Sequence, residues 1–329
     1  MYKVGGEENM TGQLSLFDQP PKPDKHQNEI AQELSAIELN KDQPGAKLPD
    51  LIPEGAVLEV TKHYETREVH VSRILGLLED HRETGHTFSR EELGQRLSMT
   101  KAQAEGTASV MRRLELIDSK NQITPWGALV RARSPYLDDP GLLWLLHYLL
   151  ASNAQLVLWS NLFNLILFEQ DEVSIQEITD FFRALQGRWS EKSLTDKLPL
   201  EVNSIFNTYT QALFSRLGLI QKIEKGSYIS FKNTGVIPDL IWLSAILVYR
   251  DRYYAGAASL EIPLITKAHY SPGRILRQNE VSVRRALDAL HNAGLLTVET
   301  RSGLDQVRFK REHTWISAAA RHLQGEQLA

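Results

Sequence analysis

At 329 residues, with 42% hydrophobic and 24% charged side chains, the chain has a globular composition and room for two or three domains. A net charge of -4 argues against coating nucleic acid by bulk charge, but it permits a local basic face. The absence of cysteine excludes disulfides, cysteine zinc sites, iron–sulfur clusters and any thiol or persulfide chemistry.

Residues 1 to 56 are expected to be a disordered tail. Pro20, Pro21, Pro23, Pro44 and Pro49 fix φ and withhold backbone donors, so the segment has no regular structure to join. A short helix is expected only in "NEIAQELSAIEL", where Ile30, Leu34 and Ile37 share a face. Within the tail, Gln13, Leu14, Leu16 and Phe17 look like the bacterial sliding-clamp-binding motif Q-L-x-L-F. An extended peptide with Leu and Phe anchors and a rim glutamine suits a hydrophobic groove, so a sliding clamp is a candidate partner. Nothing resembles a signal peptide, and the cytoplasm is the expected location.

Residues 57 to 133 have the order of a winged helix-turn-helix. "VHVSRILGLLEDHRETG" is a helix stopping at Gly85, and "TFSREELGQRLSM" opens with a Ser89–Glu92 capping-box pattern. "TKAQAEGTASVMRRLELI" places Ala104, Thr107, Met111 and Leu114 on one face, leaving Lys101, Arg112 and Arg113 as candidate DNA contacts. "DSKNQITPWGALV" is expected to supply a small strand or wing and a proline stop. The histidines and glutamates of "HYETREVH" (63–70) divide between two strand faces, which makes a solvated segment of them rather than a metal site.

Residues 134 to 258 form the expected helical core domain. The run 141–168 is long enough to span a membrane, yet His147, Ser152, Asn153, Gln155, Asn161 and Asn164 interrupt it. Two buried helices broken near Ser152–Asn153 fit better. Metal-assisted phosphodiester hydrolysis wants hard carboxylate ligands, and Asp138–Asp139 is the strongest local pair, with His147 two turns on. The competing reading makes an Asp before Pro140 a helix N-cap and His147 a hydrogen-bonded core residue. Tyr136 is by position a candidate nucleophile for covalent nicking, and packing on the following helix is the expected reading.

Residues 259 to 329 complete a C-terminal winged-helix-like domain. "MRRLELIDSKNQITP", "FSRLGLIQKIEKGSYISFK" and "LHNAGLLTVETRSGLDQVRFK" each run helix end, apolar pair, strand, turn, strand. The fold class expected is therefore mostly α with small β wings: two or three winged helix-turn-helix-like units around a helical core. In the last unit Val283, Leu287 and Leu290 face inward. Arg274, Arg277, Arg284, Arg285, Asn292, Arg301, Arg308, Lys310 and Arg311 offer a candidate phosphate-facing surface.

Four stretches carry a family resemblance: "SPYLDDPGLLWLLHYLL" (134–150), Ile123 to Val130, "LFNL" (162–165) and "YSPGRILRQNEVSVRRALDAL" (270–290). From about residue 57 to 312 the chain resembles a bacterial family of domains of unknown function that accompanies DNA phosphorothioation and phage-defence gene clusters. Its members look like the nicking component of a single-strand phosphorothioation system. The resemblance implies a DNA partner, companion subunits and nicking, for which magnesium or manganese is the candidate cofactor; it does not say which residues would bind the metal. The chain has no G-x-x-x-x-G-K-[ST] phosphate loop, so it is not the ATPase of such a system, and without cysteine it carries no persulfide. What remains is handling DNA, as a nickase or a presenting partner. A non-catalytic adaptor and a winged-helix transcriptional regulator are the rivals.

Overall fold

The computed structural model describes residues 52–184, 189–301 and 304–328. The clamp-like motif Gln13–Phe17, the short helix near Ile30 and the hairpin tip at Ser302 and Gly303 lie outside the described residues. The described part is mostly helical with two small antiparallel sheets.

The first helices of the described residues are α1 (Glu68–Asp80), α2 (Arg90–Leu97) and α3 (Lys101–Arg113). Each of the last two starts where its sequence dictates. Ser89 and Glu92 form a capping box at α2, and Thr100 and Gln103 form another at α3. Helix α1 ends at Asp80, five residues before Gly85. The expected wing after α3 is absent among the described residues: Ile117 and Ile123 form one isolated bridge. Pro125 also departs from expectation, because it begins α4 (Pro125–Arg133) instead of stopping a helix. At N1 proline loses only a donor that would be unpaired anyway, and the Thr124 hydroxyl caps the Gly127 amide.

Helix α5 (Pro140–Ala151) is buried from Gly141 to Ala151, and so is most of α10 (Asp239–Tyr253). Helices apolar all round belong in a core, and these two pack together. The carbonyl end of α5 is closed by α10. Arg252 donates to Leu149 O at 3.0 Å and Ser152 Oγ at 2.9 Å, and Tyr253 OH donates to Ser152 O. The break at Ser152 is followed by α6 (Val157–Asn161), a π-helical turn (Leu162–Ile166) and α7 (Leu167–Glu169). No helix among the described residues is long and apolar enough to cross a membrane.

The sheets share one topology. In the first, β1 (Glu172–Ser174) precedes α8 (Ile175–Ala184) and α9 (Leu198–Thr210), and the hairpin β2 (Ile220–Glu224)–β3 (Ser227–Ser230) follows, in the order β1-β3-β2. In the second, β4 (Ser259–Glu261) precedes α11 (Ile262–Thr266), α12 (Pro272–Ile275) and α13 (Glu280–Asn292). The hairpin β5 (Leu296–Glu299)–β6 (Gln306–Phe309) follows, in the order β4-β6-β5. In each, the strand before the helices pairs antiparallel with the last strand: Val173 opposite Tyr228, Leu260 opposite Val307.

The terminal helix α14 (Trp315–Leu323) returns to α10 and α5. Trp315 meets Trp126 edge-to-face at 5.4 Å, and His322 reaches Asp139 at 2.9 Å. Gly141 makes that approach possible, since a Cβ there would sit 2.4 Å from His322 Nε2.

Candidate nucleic-acid interface

Helix α13 is amphipathic for a simple reason. Val283, Ala286, Leu287 and Leu290 recur at three- and four-residue spacing and are buried. The Asn279 side chain caps it by accepting from Ser282 N at 2.8 Å. The opposite stripe consists of Val281, 76% exposed, with Arg285, Asp288 and Asn292, all exposed.

The expected arginine surface divides in three. Arg285, Arg301, Lys310 and Arg311 are exposed, with the Arg285 guanidinium 4.0 Å from Asp239. Arg284 and Arg308 are committed on the surface. Arg284 forks onto Asp305 at 2.7 and 3.1 Å and reaches Glu280 at 3.0 Å, pairings that raise its pKa further; Arg308 pairs with Glu299 at 3.0 Å. Arg274 and Arg277 are not on the outer face at all: they are 6% and 5% exposed. Arg274 donates to Asn164 O at 2.6 Å and Lys267 O at 3.3 Å, and lies 3.7 Å over the Phe168 ring. Arg277 donates to Phe231 O at 3.0 Å and to Leu167 O, and meets Asp171 at 3.2 Å. Burial pushes Arg277 down to about 10, which leaves it charged at neutral pH.

On the N-terminal helices, Lys101 pairs with Glu91. Arg112 is half-buried and donates to Asn121 Oδ1 at 2.5 Å, and burial lowers its pKa. Arg113 donates to Gln155 Oε1 at 3.2 Å. The Arg112 contact braces the turn after α3, and Lys101 is the most exposed of the three.

Asp138, Asp139 and His147 do not form one constellation. Asp139 is the N-cap of α5, accepting from Leu142 N at 2.6 Å and pairing with His322 at 2.9 Å. Burial works against its charge, but the His322 contact and the Leu142 and Gly141 amides outweigh it and hold the carboxyl below its ordinary range. Asp138 is exposed and accepts from Ser134 Oγ at 3.0 Å. His147 lies eight residues along α5, roughly 12 Å at helical rise, and is wholly buried. Its Nε2 donates to Ile275 O at 3.1 Å, so Nδ1 accepts from Tyr209 OH at 2.6 Å. Tyr136 is 72% exposed instead of packed. Among the described residues no three His, Asp or Glu side chains are grouped to hold a metal ion, and the occupied Asp138–Asp139 pair does not fit a two-carboxylate site.

Sequence spacing misses a cleft of about 310 Å³ where Lys232 and Lys267 join Arg274 and Arg277. Lys232 follows β3 whereas Lys267, Arg274 and Arg277 lie in one later run, and only the fold brings the two segments together.

Residues 108–323 match the family described as "Protein of unknown function (DUF4007)". The chain belongs to the DUF4007 family. Two solved structures share the fold of this DUF4007 chain. One is described as "Magnesium ion-bound SspB crystal structure", with a TM-score of 0.65 and 19% identity. The other is "SspB crystal structure", with a TM-score of 0.63 and 18% identity. Each alignment covers 83% of this chain and 88% of the other. No curated protein matches.

Proposed function

We propose that this chain is the DNA-binding component of a phosphorothioate-modification and phage-defence system of the SspB kind. It would grip DNA through the outer stripe of α13 and the β5–β6 hairpin. The observation that carries this is the unit of residues 259–310, a strand, three helices and a hairpin, presenting Arg285, Asn292 and Lys310 to solvent. A winged helix likewise lays the helix before its hairpin in a groove with the wing beside it. The unit of residues 172–230 repeats the order of strand, helices and hairpin. The domain limits near residues 133 and 258 are part of the same proposal, as is clamp capture by Gln13, Leu14, Leu16 and Phe17.

Electrophoretic or anisotropy titration of DNA against salt tests the grip. Arg285→Ala with Lys310→Ala is expected to weaken binding about tenfold and to flatten the log–log salt slope by about 0.9 for each phosphate that is no longer neutralised. Arg284 is the wrong target, because its charge is already satisfied by Asp305 and Glu280. Unchanged affinity and slope in the double variant would refute the interface.

A nicking role is the second reading, favoured by the magnesium ion in one structure of the same fold. Bound magnesium or manganese would supply Lewis-acid activation of a scissile phosphate. Since Asp138 and Asp139 are committed locally, no step is assigned to them. Incubating supercoiled plasmid with either metal, beside a chelated control, tests this reading. Open circles that persist in Asp138→Ala/Asp139→Ala keep the activity and discard the pair. Plasmid retarded but intact supports a non-catalytic adaptor.

A further inference from the structure

The loop between α4 and α5, residues 134–139, holds a tyrosine out in water. Tyr136 is 72% exposed, and neither its ring nor its hydroxyl has a partner among the described residues. The loop around it is fixed from several sides. Ser72 Oγ of α1 donates to Pro135 O, and Ser134 Oγ accepts from Asp138 N at 3.1 Å. Arg216, just after α9, donates to Leu137 O at 2.5 Å and to Asp138 O at 3.3 Å. Asp139 closes the loop as the cap of α5 and the partner of His322. Leu137 is wholly buried in left-handed backbone at φ 54°, a conformation that leucine keeps only where surrounding bonds over-determine it. The buried leucine and the pinned backbone together hold Tyr136 at the surface.

Arginines come to this loop from three elements. Arg133 ends α4 three residues before the tyrosine, and Arg73 follows Ser72, the α1 residue bonded to the loop; both are exposed. Arg131 lies over α1, where a Cβ on Gly76 would stand 3.3 Å from its guanidinium. The exposed Arg216 gives its hydrogen bonds to neutral carbonyls. Among the described residues none of these four is ion-paired. The carboxylates of the loop are engaged: Asp138 accepts from Ser134 Oγ at 3.0 Å, and Asp139 holds the Leu142 amide and His322. The acids of α1 stand at its two ends, with Glu79 paired to Arg82. Val69, 49% exposed, is the only other large apolar side chain exposed on α1 or the loop. The patch is too small and too cationic for the apolar centre of a protein interface.

We infer that Tyr136 is a stacking platform for an unpaired DNA base, with the arginines around it holding the adjoining phosphates, an inference that rests on the DNA-binding reading above. A base offers a flat π face that a phenol ring can cover, and its strand supplies anions for guanidinium groups that lack a carboxylate. Inside a duplex both faces of each base are covered by its neighbours. A ring fixed at the protein surface therefore finds a free face only on a single-stranded or looped-out base. Because the loop already presents the ring, stacking orders few bonds of the protein. The outer stripe of α13 grips the DNA, whereas Tyr136 reports whether a strand is paired.

Fluorescence anisotropy on the full chain tests the platform with three labelled probes: a single strand of mixed sequence, the blunt duplex it forms, and a strand of abasic analogues of the same length. Tyr136→Ala is expected to weaken the mixed single strand about tenfold and to leave the duplex and the abasic strand within about twofold. Tyr136→Phe should bind all three as the unaltered chain does, because stacking uses the ring and not the hydroxyl. Arg73→Ala/Arg133→Ala should flatten the single-strand salt slope by about 0.7 for each phosphate no longer neutralised. Arg285→Ala should weaken the duplex, and the tenfold effect of Tyr136→Ala should persist in that background. Single-strand binding that survives Tyr136→Ala overturns the inference and leaves the DNA-binding reading standing. So does a phenylalanine variant as weak as the alanine one, which would make the hydroxyl the contact, or an equal loss on all three probes. An unchanged salt slope in the arginine variant overturns it as well. Binding of none of the three probes by the unaltered chain overturns both readings.

Discussion

Between pH 6.5 and pH 4 the protein is expected to lose about 3 kcal/mol of stability through His147 alone, one proton's worth at about 1.36 kcal/mol per pH unit. Burial pushes this imidazole down to about 4, with the nearby Arg277 charge adding to the shift and the Ile275 carbonyl opposing it. The sign follows from which state holds the proton. Unfolded His147 takes one up near its ordinary value of about 6.5, whereas the folded protein refuses it until about pH 4. Stability is therefore full above pH 6.5 and falls as acid is added. The wiring explains the refusal. Trp159 Nε1 donates to Tyr209 OH at 2.9 Å, Tyr209 donates to His147 Nδ1, and His147 Nε2 donates to Ile275 O. A second N–H on the ring would face the tyrosine oxygen and strand the phenolic proton in a dry core. His269 adds to the same acid loss, pushed down to about 3 by burial and the Arg274 charge. Urea unfolding at a series of pH values measures the effect. His147→Gln should reduce the slope near pH 5 by up to one proton, and an unchanged slope would show that the acid loss arises elsewhere.

Glu201→Ala is expected to cost at least about 3 kcal/mol, because it orphans several buried donors at once. The Glu201 side chain is 1% exposed on α9 and accepts from Val60 N at 2.7 Å, Thr61 N at 2.6 Å and Thr61 Oγ1 at 2.8 Å. His63 N donates to its second oxygen at 3.2 Å. The carboxylate thus fastens the turn at Val60–His63, in the lead-in before α1, to the middle of the molecule. On the other side of that lead-in, Gly106 leaves room for Thr61 O, which a Cβ would approach to 2.0 Å. Glu201→Gln should fall between wild type and alanine, since its amide keeps one accepting oxygen but turns a donor toward the His63 amide. Denaturant unfolding of the two variants gives the order directly. A loss under about 1 kcal/mol for alanine would mean that the lead-in is solvated rather than clamped.

Local signals were legible because they act through neighbours in the chain. Ser89 with Glu92, the apolar spacing of Val283, Leu287 and Leu290, the break after Ala151 and the two hairpins after α9 and α13 all came out as expected. Pro125 went the other way, because proline tolerates N1 as readily as it ends a helix, and Thr124 decides which. The Asp138–Asp139 pair shows the same limit at a candidate site. Adjacent carboxylates read equally as ligands or as caps, and the helix start at Pro140 together with His322, 183 residues downstream, takes Asp139 for the cap.

By itself, the sequence determined the mostly helical class, the exclusion of thiol chemistry and the amphipathic helix whose outer stripe carries Arg285 and Asn292, since these depend on composition and periodicity. Only the tertiary structure decided which arginines face solvent. Arg274 and Arg277 look like Arg285 in one dimension, yet the close turn at Gly273 and the carbonyls of Asn164, Leu167 and Phe231 draw them inside. A charge is buried or exposed according to contacts made across more than forty residues of chain, and no local spacing records them.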